Sequence, residues 1–323
     1  MTEAFLAQLR EDYSPRRKYL IGVSGGRDSV ALLHFLHAAG YKKLVICHLN
    51  HALRGRASGQ DAAFVKRLAQ KLSYNCEIQK VDVKRLAKEE KISIEVAARK
   101  ARHRFFAKIA KAQRCPRLFL AHHADDQVET VLINLFRGSG LRGIAGMRSS
   151  SEHTVDGVRL QFLRPFLTQW RSQIDNYLQE QGLDYREDAS NESHFALRNR
   201  IRHRLLPEVE QVFERDVRAA VNRLSHMAGA ESDALDVLLE RDYPGLSQQT
   251  QLPVKTLRSL PEALQGRVLR EWLNHRGIKG TGYREVEMIR RLIPVGSEVA
   301  KINLPNHQYA RRRQGLIFID GHK

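Results

Sequence analysis

The chain has 323 residues, of which 42% are hydrophobic and 28% are charged, a globular composition long enough for two or three domains. Lys and Arg outnumber Asp and Glu by 54 to 36, and the formal charge of +18 favours a polyanionic partner such as nucleic acid or an acidic membrane surface. Three widely separated cysteines without a CxxC pair argue against a disulfide framework and a thiolate metal site, and no stretch reaches the length of a membrane span. The first 19 residues lack the apolar core of a signal peptide, so we expect a reducing, cytoplasmic setting.

Apolar runs and helical periods alternate through the first part of the chain. The expected strands are YLIGV, KLVICHLN, CEIQKVDV and RLFLAHH, with helices expected at 29–39, at 58–73, up to about 113, and in DDQVETVLINLF. Such alternation is typical of βαβ units, so the sequence predicts an α/β fold with a doubly wound, mostly parallel sheet. Ligands of such sheets bind at the carboxyl ends of the strands, where SGGRDS and HHADD are both expected.

Beyond residue 207 the pattern changes. Apolar residues recur at helical spacing from Val209 to Leu224, and a second helical face precedes Gly277, an expected C-cap. KINL, QYARRR and GLIFID are expected strands, with a hairpin-like turn at RQG. We therefore expect an α/β domain at 1–207, a helical linker at 208–245 and a small α+β domain at 246–323.

SGGRDS, residues 24–29, joins the first expected strand to the first expected helix. Its glycines let backbone amides approach an anion, and the positive end of the helix dipole lies at the same loop, so phosphate is the expected ligand. No GKS or GKT ends the loop, and GSGLRG at 138–143 follows a helix instead of a strand, which argues against a Walker A loop and a dinucleotide fold. Asp28 would repel phosphate unless a cation intervened, so the loop predicts a nucleoside triphosphate with Mg²⁺ on Asp28. The alternative makes Asp28 an ordinary helix N-cap.

Acidic and imidazole side chains follow the RLFLAHH strand. Asp126 and Glu129 are three residues apart on an expected helix, and a carboxylate pair on one face suits an ammonium group. The alternative is an acidic helix start that complements the helix dipole. His122 and His123 could meet phosphate or base at this edge, but they lack partners at zinc-binding spacing.

Two basic clusters stand out. Residues 80–117 hold 13 basic and 4 acidic residues, an excess that favours nucleic-acid contact over a solvated helix face. Within it, Arg99 and Arg102 are candidates for stabilising a transferring phosphate or holding RNA phosphates. The second cluster, RNRIRHRLLP, contributes candidate RNA or active-site contacts at Arg198, Asn199, Arg200 and Arg202.

A strand followed by SGGxDS resembles the ATP pyrophosphatases, which cleave ATP between the α and β phosphates to adenylate a substrate. Further stretches resemble one branch of them, the tRNA(Ile)-lysidine synthetases. These stretches are HLNHALRG, IEVAARKARHRFF, AHHADDQVETVLINLFRGSGLRGIAGM, LRPFL and REDASNESHFALRNRIRHRLLP. The resemblance covers about residues 18–207, and more loosely the rest, and a His stands at 103 where the family usually has Tyr.

The resemblance implies a ligase that uses ATP to join free L-lysine to the wobble cytidine of an isoleucine tRNA with a CAU anticodon. It implies an adenylated cytidine intermediate, Mg²⁺, release of AMP and pyrophosphate, tRNA binding by the C-terminal domain, no membrane partner, and a homodimer, since some relatives pair. The implied residues are Ser24, Gly25, Gly26, Arg27, Asp28, Ser29 and His51 for ATP, with Arg54 near His51; Asp28 for Mg²⁺; Asp28, Arg99 and Arg102 for catalysis; Asp126 and Glu129 for lysine; and Arg198, Arg200 and Arg202 for tRNA.

Two other functions stay open. The first is another tRNA-modifying ATP pyrophosphatase, such as a thiolase, against which the unpaired cysteines argue. The second is an RNA-binding protein that senses nucleotide without catalysis. Asp28 together with the Asp126 and Glu129 pair argues against it, since a pure binder needs neither a metal site nor an ammonium site.

Overall fold

The computed structural model describes residues 2–53, 56–186, 197–278, 280, 282–296 and 299–321. By their internal contacts the residues form two compact units, the first made of 1–133 with 146–223 and the second of 134–145 with 224–323. Arg54 lies outside the described residues, as does the whole stretch EDASNESHFA at 187–196.

The first unit is built on a six-stranded sheet. Its strands are β1 (Tyr19–Gly22), β2 (Leu44–Asn50), β3 (Asn75–Lys80), β4 (Arg117–Phe119), β5 (Ser150–Val155) and β6 (Val158–Leu163). The order is β3-β2-β1-β4-β6-β5, and all neighbours pair in parallel except β5, which is antiparallel to β6. The predicted mostly parallel sheet is confirmed.

Helices connect and cover the strands of the first unit, and others belong to the second. In chain order they are α1 (Glu3–Asp12), α2 (Arg27–Ala38), α3 (Arg56–Lys71), α4 (Val83–Glu90), α5 (Ile94–Gln113), α6 (Ala124–Phe136), α7 (Leu141–Ile144), α8 (Arg171–Glu180), α9 (Leu197–Arg200), α10 (Leu206–Phe213), α11 (Val217–Asp242), α12 (Val254–Ser259), α13 (Glu262–His275) and α14 (Tyr283–Arg290). A 3₁₀ turn spans Pro165–Thr168, another spans Leu246–Gln248, and a π-helical turn spans Ile201–Leu205.

Two apolar layers hold the sheet of the first unit. On one face, β1 and β2 pack with α2 and α3 around fully buried side chains such as Leu32, Ile46 and Val65. On the other face, Phe105, Phe106 and Ile109 of α5 form a second cluster with Leu20 and its neighbours. Strands buried on both faces explain the continuous apolar runs in the sequence. At the carboxyl edge of the parallel strands lie the loops that follow each strand, outside these two layers.

The second unit has its own core and sheet. Strands β7 (Leu252–Pro253), β8 (Lys301–Leu304), β9 (Gln308–Arg313) and β10 (Leu316–Gly321) form an antiparallel sheet in the order β7-β10-β9-β8. The expected hairpin turn is present because Gln314 and Gly315 both adopt positive φ, at 51° and 76°, as a two-residue turn between twisted strands requires. Trp272, fully buried, centres the core of this unit.

Among the described residues, no helix is long and apolar enough to cross a membrane.

Candidate functional site

The phosphate loop is shaped by its own hydroxyl groups. The Ser24 amide donates to Ser29 Oγ at 3.1 Å, the Gly26 amide donates to Ser24 Oγ at 3.2 Å, and Ser29 Oγ donates to the Gly26 carbonyl at 2.8 Å. Gly25 has φ +93°, a left-handed conformation that disfavours any side chain, and a Cβ there would lie 3.4 Å from Val65. Ser24 and Ser29 therefore set the loop's curvature, with the first turn of α2 at its end.

Helix α2 begins without a side-chain cap. Gly26 is its N-cap and contributes no side-chain hydrogen bond, so the amides of the first turn lack side-chain partners. Asp28 lies inside this turn, which overturns the alternative in which Asp28 is the N-cap. Arg27 points to α8, where its guanidinium lies 3.0 Å from Asp175, and it also covers the Tyr185 ring at 5.3 Å. The side chain of Arg27 is thus held by the fold, whereas the start of the helix is free to bind an anion.

Asp28 carries an unsatisfied carboxylate. Its Oδ1 is buried without a hydrogen-bond partner, and its Oδ2 lies 3.8 Å from His123 Nε2. Burial raises the pKa of Asp28 and nearby Asp126 raises it further, although His123 opposes both. A hard cation would satisfy the orphaned oxygen and relieve the repulsion between the two carboxylates, so the donor set fits Mg²⁺. No cluster of three metal-ligating side chains occurs in the described part of the chain, so phosphate oxygens and water would complete such a site.

His123 is enclosed by carboxylates. It is 1% exposed, with Nε2 3.6 Å from Asp126 and Nδ1 3.5 Å from Asp125. Burial alone would lower the pKa of His123, but Asp125, Asp126 and Asp28 together raise it above its ordinary value. His123 therefore compensates a carboxylate cluster at the end of β4, a role that the sequence did not distinguish from that of His122.

The predicted carboxylate pair on α6 is bridged by an arginine. Arg202 Nε donates to Glu129 Oε1 at 2.6 Å, and its Nη2 donates to Asp126 Oδ1 at 3.4 Å. Glu129 is 1% exposed, its Oε2 has no hydrogen-bond partner, and burial raises the pKa of Glu129 despite Arg202. Asp126 Oδ2 also accepts the His123 amide at 3.1 Å, so Asp126 caps the start of α6 as well.

The second basic cluster of the sequence turns one face toward α6. Arg198 donates to Thr130 Oγ1 at 3.3 Å, and Arg202 lies four residues later, inside the π-helical turn. Arg200 is exposed and lines an open groove with Leu197 and Arg204. Of the three arginines predicted to bind tRNA, the structure thus brings Arg202, and next to it Arg198, to the carboxylate pair and leaves Arg200 at the surface.

Arginines without anionic partners lie near the imidazoles of the same strand ends. Arg99 and Arg102 are exposed and make no ion pair or side-chain hydrogen bond with any described residue. Burial together with Arg102 lowers the pKa of His51 to about 4. Burial, partly opposed by Asp126 and reinforced by nearby arginines, lowers the pKa of His122 to about 3. The guanidinium groups have no anionic partner and the imidazoles beside them are neutral, so an incoming polyanion would pair with the arginines at this edge.

Arg164 is the residue that sequence reasoning missed. It is buried directly after β6, donates to the Arg148 carbonyl at 2.8 Å and to Ser151 Oγ at 2.9 Å, and leaves its Nε without a hydrogen-bond partner. Burial and Arg99 lower the pKa of Arg164 to about 10. Its position in LRPFL could have identified it as a site residue, because there an arginine follows an apolar strand at the carboxyl edge of the sheet.

Comparisons with known proteins match both parts of the chain. Residues 1–209 match the family model described as the PP-loop domain, and residues 252–318 match the TilS substrate binding domain. The tRNA(Ile)-lysidine synthase of Clostridium tetani is 31% identical over 94% of this chain and 65% of its own length, and that of Geobacter sulfurreducens is 34% identical over 91% and 63%. The chain spans slightly less than two thirds of these relatives. A structure of the U34-tRNA thiolase NcsA from Methanococcus maripaludis superposes with a TM-score of 0.55 at 16% identity, covering 70% of this chain and 78% of that one, which shows a shared fold.

Proposed function

Because this chain belongs to the PP-loop family and carries a TilS substrate binding domain, we propose that it is an ATP-dependent ligase that joins lysine to the wobble cytidine of an isoleucine tRNA with a CAU anticodon. The observation that carries the proposal is the meeting of two halves of a site at Asp28. One half is an uncapped helix start behind a glycine turn, and the other is the carboxylate cluster around His123.

The first step is adenylation of the cytidine. The ring carbonyl oxygen attacks the α-phosphorus of ATP, the bond from that phosphorus to the bridging oxygen breaks, and pyrophosphate leaves. The Gly25–Gly26 turn and the amides that begin α2 would hold the phosphates by backbone contacts. Arg99 or Arg102, both without anionic partners in the described part of the chain, would offset the charge that develops on the α-phosphate.

Asp28 is the residue proposed to hold Mg²⁺. When bound, the ion would neutralise phosphate charge and polarise the phosphorus–oxygen bonds. His51 follows β2 at the same edge of the sheet, and its neutral imidazole suits contact with the base or ribose of ATP.

The second step is displacement of AMP by lysine. The ε-amine attacks the former carbonyl carbon, the bond from that carbon to the AMP oxygen breaks, and a proton leaves the amine. Glu129 has one oxygen on Arg202 and a second, buried oxygen without a partner, which can accept an ammonium N–H. Asp126 is shared between Arg202 and the helix cap, so Glu129 is the stronger candidate for the lysine contact.

The RNA partner is proposed to contact both units. Arg198, Arg200 and Arg202 are the candidates in the first unit, and residues 246–323 are the candidate region in the second. A reducing, cytoplasmic setting, expected from the unpaired cysteines, and a homodimer, implied by the resemblance, belong to the same proposal.

A sulfur-transfer reaction is the main alternative within the fold, and the cysteines argue against it. Cys47 and Cys115 are buried, and Cys76 is half-buried. Burial raises the pKa of Cys47, and it raises that of Cys76 to about 11, so neither thiol is prepared to act as a thiolate.

The test is mass spectrometry of nucleosides from the isoleucine tRNA transcript after incubation with the protein, ATP, Mg²⁺ and lysine, with lysine omitted as the control. We expect a lysine-dependent mass gain on cytidine together with AMP and pyrophosphate. Pyrophosphate release without that product would point to another substrate. Binding of the tRNA without ATP cleavage would overturn the enzyme in favour of a nucleotide-sensing RNA binder.

A further inference from the structure

Three lysines at α4 form a face that the proposed catalytic site does not use. Lys84 and Lys88 are four residues apart on one side of the helix, Lys91 follows as its C-cap in a left-handed conformation, and all three are exposed. Val83 and Ala87 bury another side of α4 against α5. We call the set Lys84, Lys88 and Lys91 the lysine face.

Two acidic residues beside the lysine face, Glu89 and Glu90, are already paired with other cations, and Asp82 caps α4 by accepting the Arg85 amide at 3.0 Å. Glu89 accepts from Arg85 at 2.7 Å, and Glu90 accepts from Lys100 at 2.5 Å and from Arg104 at 3.3 Å. The lysine face itself has no ion pair or side-chain hydrogen bond with any residue in the described ranges. The pairing therefore holds Arg85, Lys100 and Arg104 in place and leaves the three lysine charges uncompensated.

The position of α4 distinguishes this face from an ordinary solvated surface. β3 ends at Lys80, at the carboxyl edge of the sheet, and α4 begins at Val83, three residues later. The phosphate loop begins after β1 at that same edge. Lysines on an edge strand often serve only to block strand pairing, which would account for Lys80 but not for a row along the neighbouring helix. The row begins where the RNA must approach to deliver its cytidine.

We propose that the lysine face binds the phosphate backbone of the RNA substrate, outside the residues that hold ATP and lysine. The inference rests on the proposed function, which supplies the RNA. From Lys84 to Lys91 the helix rises roughly 10 Å, the length of about three phosphates along one strand of a duplex. Exposed ammonium groups on flexible stems suit such sequence-independent contacts.

The experiment compares two triple variants of the whole chain by their affinity for the isoleucine tRNA across a salt series. The test variant is K84Q/K88Q/K91Q, which keeps good helix formers in α4. The matched control removes the same charge from exposed lysines elsewhere in the first unit, at the amino end of β2 and at the end of α3: K42Q/K43Q/K71Q. We expect the test variant to lose affinity roughly 10- to 100-fold at low salt and to lower the salt slope by about 2 to 3, with the control close to the parent chain.

The outcomes separate this inference from the proposed function. Equal losses in both variants would mean that only the overall positive field matters, and unchanged affinity in the test variant would exclude the contact; either result overturns the inference. Turnover provides the second readout, since the test variant should raise the KM for tRNA and leave the KM for ATP unchanged. If the parent chain binds tRNA but forms no lysine-dependent product, the proposed function fails, whereas the binding comparison still decides the inference.

Discussion

The phosphate loop and the carboxylate–arginine cluster meet at one edge of the sheet, but they are built in opposite ways. The side-chain hydrogen bonds that shape the loop join residues between Ser24 and Ser29, and one backbone bond comes from far along the chain, from the Arg186 amide to the Gly25 carbonyl at 2.9 Å. In the cluster, Arg202 reaches Glu129 across 73 residues of chain and Asp126 across 76. The loop is thus shaped mainly by its own sequence, whereas the cluster exists only after the fold has brought distant segments together. Apart from a local backbone cost, changes in the loop should act on nucleotide binding, whereas changes in the cluster should act on lysine binding and on the contacts that join its segments.

The strongest test of this comparison is Asp28, where the two regions touch. D28N keeps the shape of the side chain but removes the charge that the orphaned Oδ1 offers to Mg²⁺. We expect pyrophosphate release to fall by at least about 100-fold, with tRNA affinity unchanged. Pyrophosphate assays and filter binding measure the two quantities. Near-normal activity with Mg²⁺ would remove the metal role from Asp28.

Glu129 tests the cluster by itself. E129Q should raise the KM for lysine by about 10- to 100-fold, because a charge-assisted hydrogen bond to the ammonium group is lost, while the KM for ATP stays the same. E180Q, an exposed change at the end of α8, is the control. An unchanged lysine requirement in E129Q would restrict Glu129 to its ion pair with Arg202.

Gly25 tests the loop by itself, and Gly40 provides a matched control. Both residues have φ near +90°, so G25A and G40A should each lose about 1 kcal/mol of folding stability from the left-handed backbone. A Cβ at Gly40 meets nothing within 4 Å and lies away from the phosphate loop, whereas one at Gly25 lies within the loop and contacts Val65 at 3.4 Å. Only G25A should raise the KM for ATP, by roughly 10-fold. A similar rise in G40A would show that lost stability, not loop geometry, controls nucleotide binding.

The smallest expected effect concerns His103, beside the unpaired arginines. Burial, with Arg102 and Arg99, lowers the pKa of His103 to about 4, below the value near 6.5 of an unfolded histidine. The unfolded chain then binds the proton first, so His103 makes the protein lose stability as the pH falls from about 6.5 to 4. H103Q should reduce the loss of stability between pH 8 and pH 5 by roughly 1 kcal/mol, a figure lowered for partial exposure. Urea unfolding at both pH values measures it, and equal losses in the two proteins would contradict the assignment.

The sequence predicted the fold of the first unit because its signals are local. Alternating apolar runs and helical periods gave the strands, and helices such as α2 and α3 begin and end within two residues of their expected bounds. The hairpin turn at Gln314–Gly315 could also be predicted, since residues with positive φ favour glycine and the turn contains one. Such features depend on neighbours in the chain.

The ionic partners of the site could not be predicted from the sequence. Asp126 and Glu129 were expected to share a face, but nothing in their spacing indicates that Arg202 bridges them or that His123 faces Asp28. Arg27 looks like part of the phosphate loop, and its partner Asp175 is 148 residues away. Which charges compensate one another depends on how the elements pack, and a periodic pattern contains no information about that.

The π-helical turn at Ile201–Leu205 makes chain length itself part of the site. A turn of this kind accommodates one residue more than an α-helix, so Arg198 and Arg202 can face α6 while Leu206 still enters the core. Because the extra residue is confined to the turn, deleting one residue there would leave a regular α-helix with both flanks still in place, whereas deleting one residue from a flanking α-helix would rotate the side chains beyond it by about 100°. The loss of a single residue would thus spare or disrupt the cluster around Glu129 according to where it falls, a difference that a residue-by-residue comparison of sequences would not reveal.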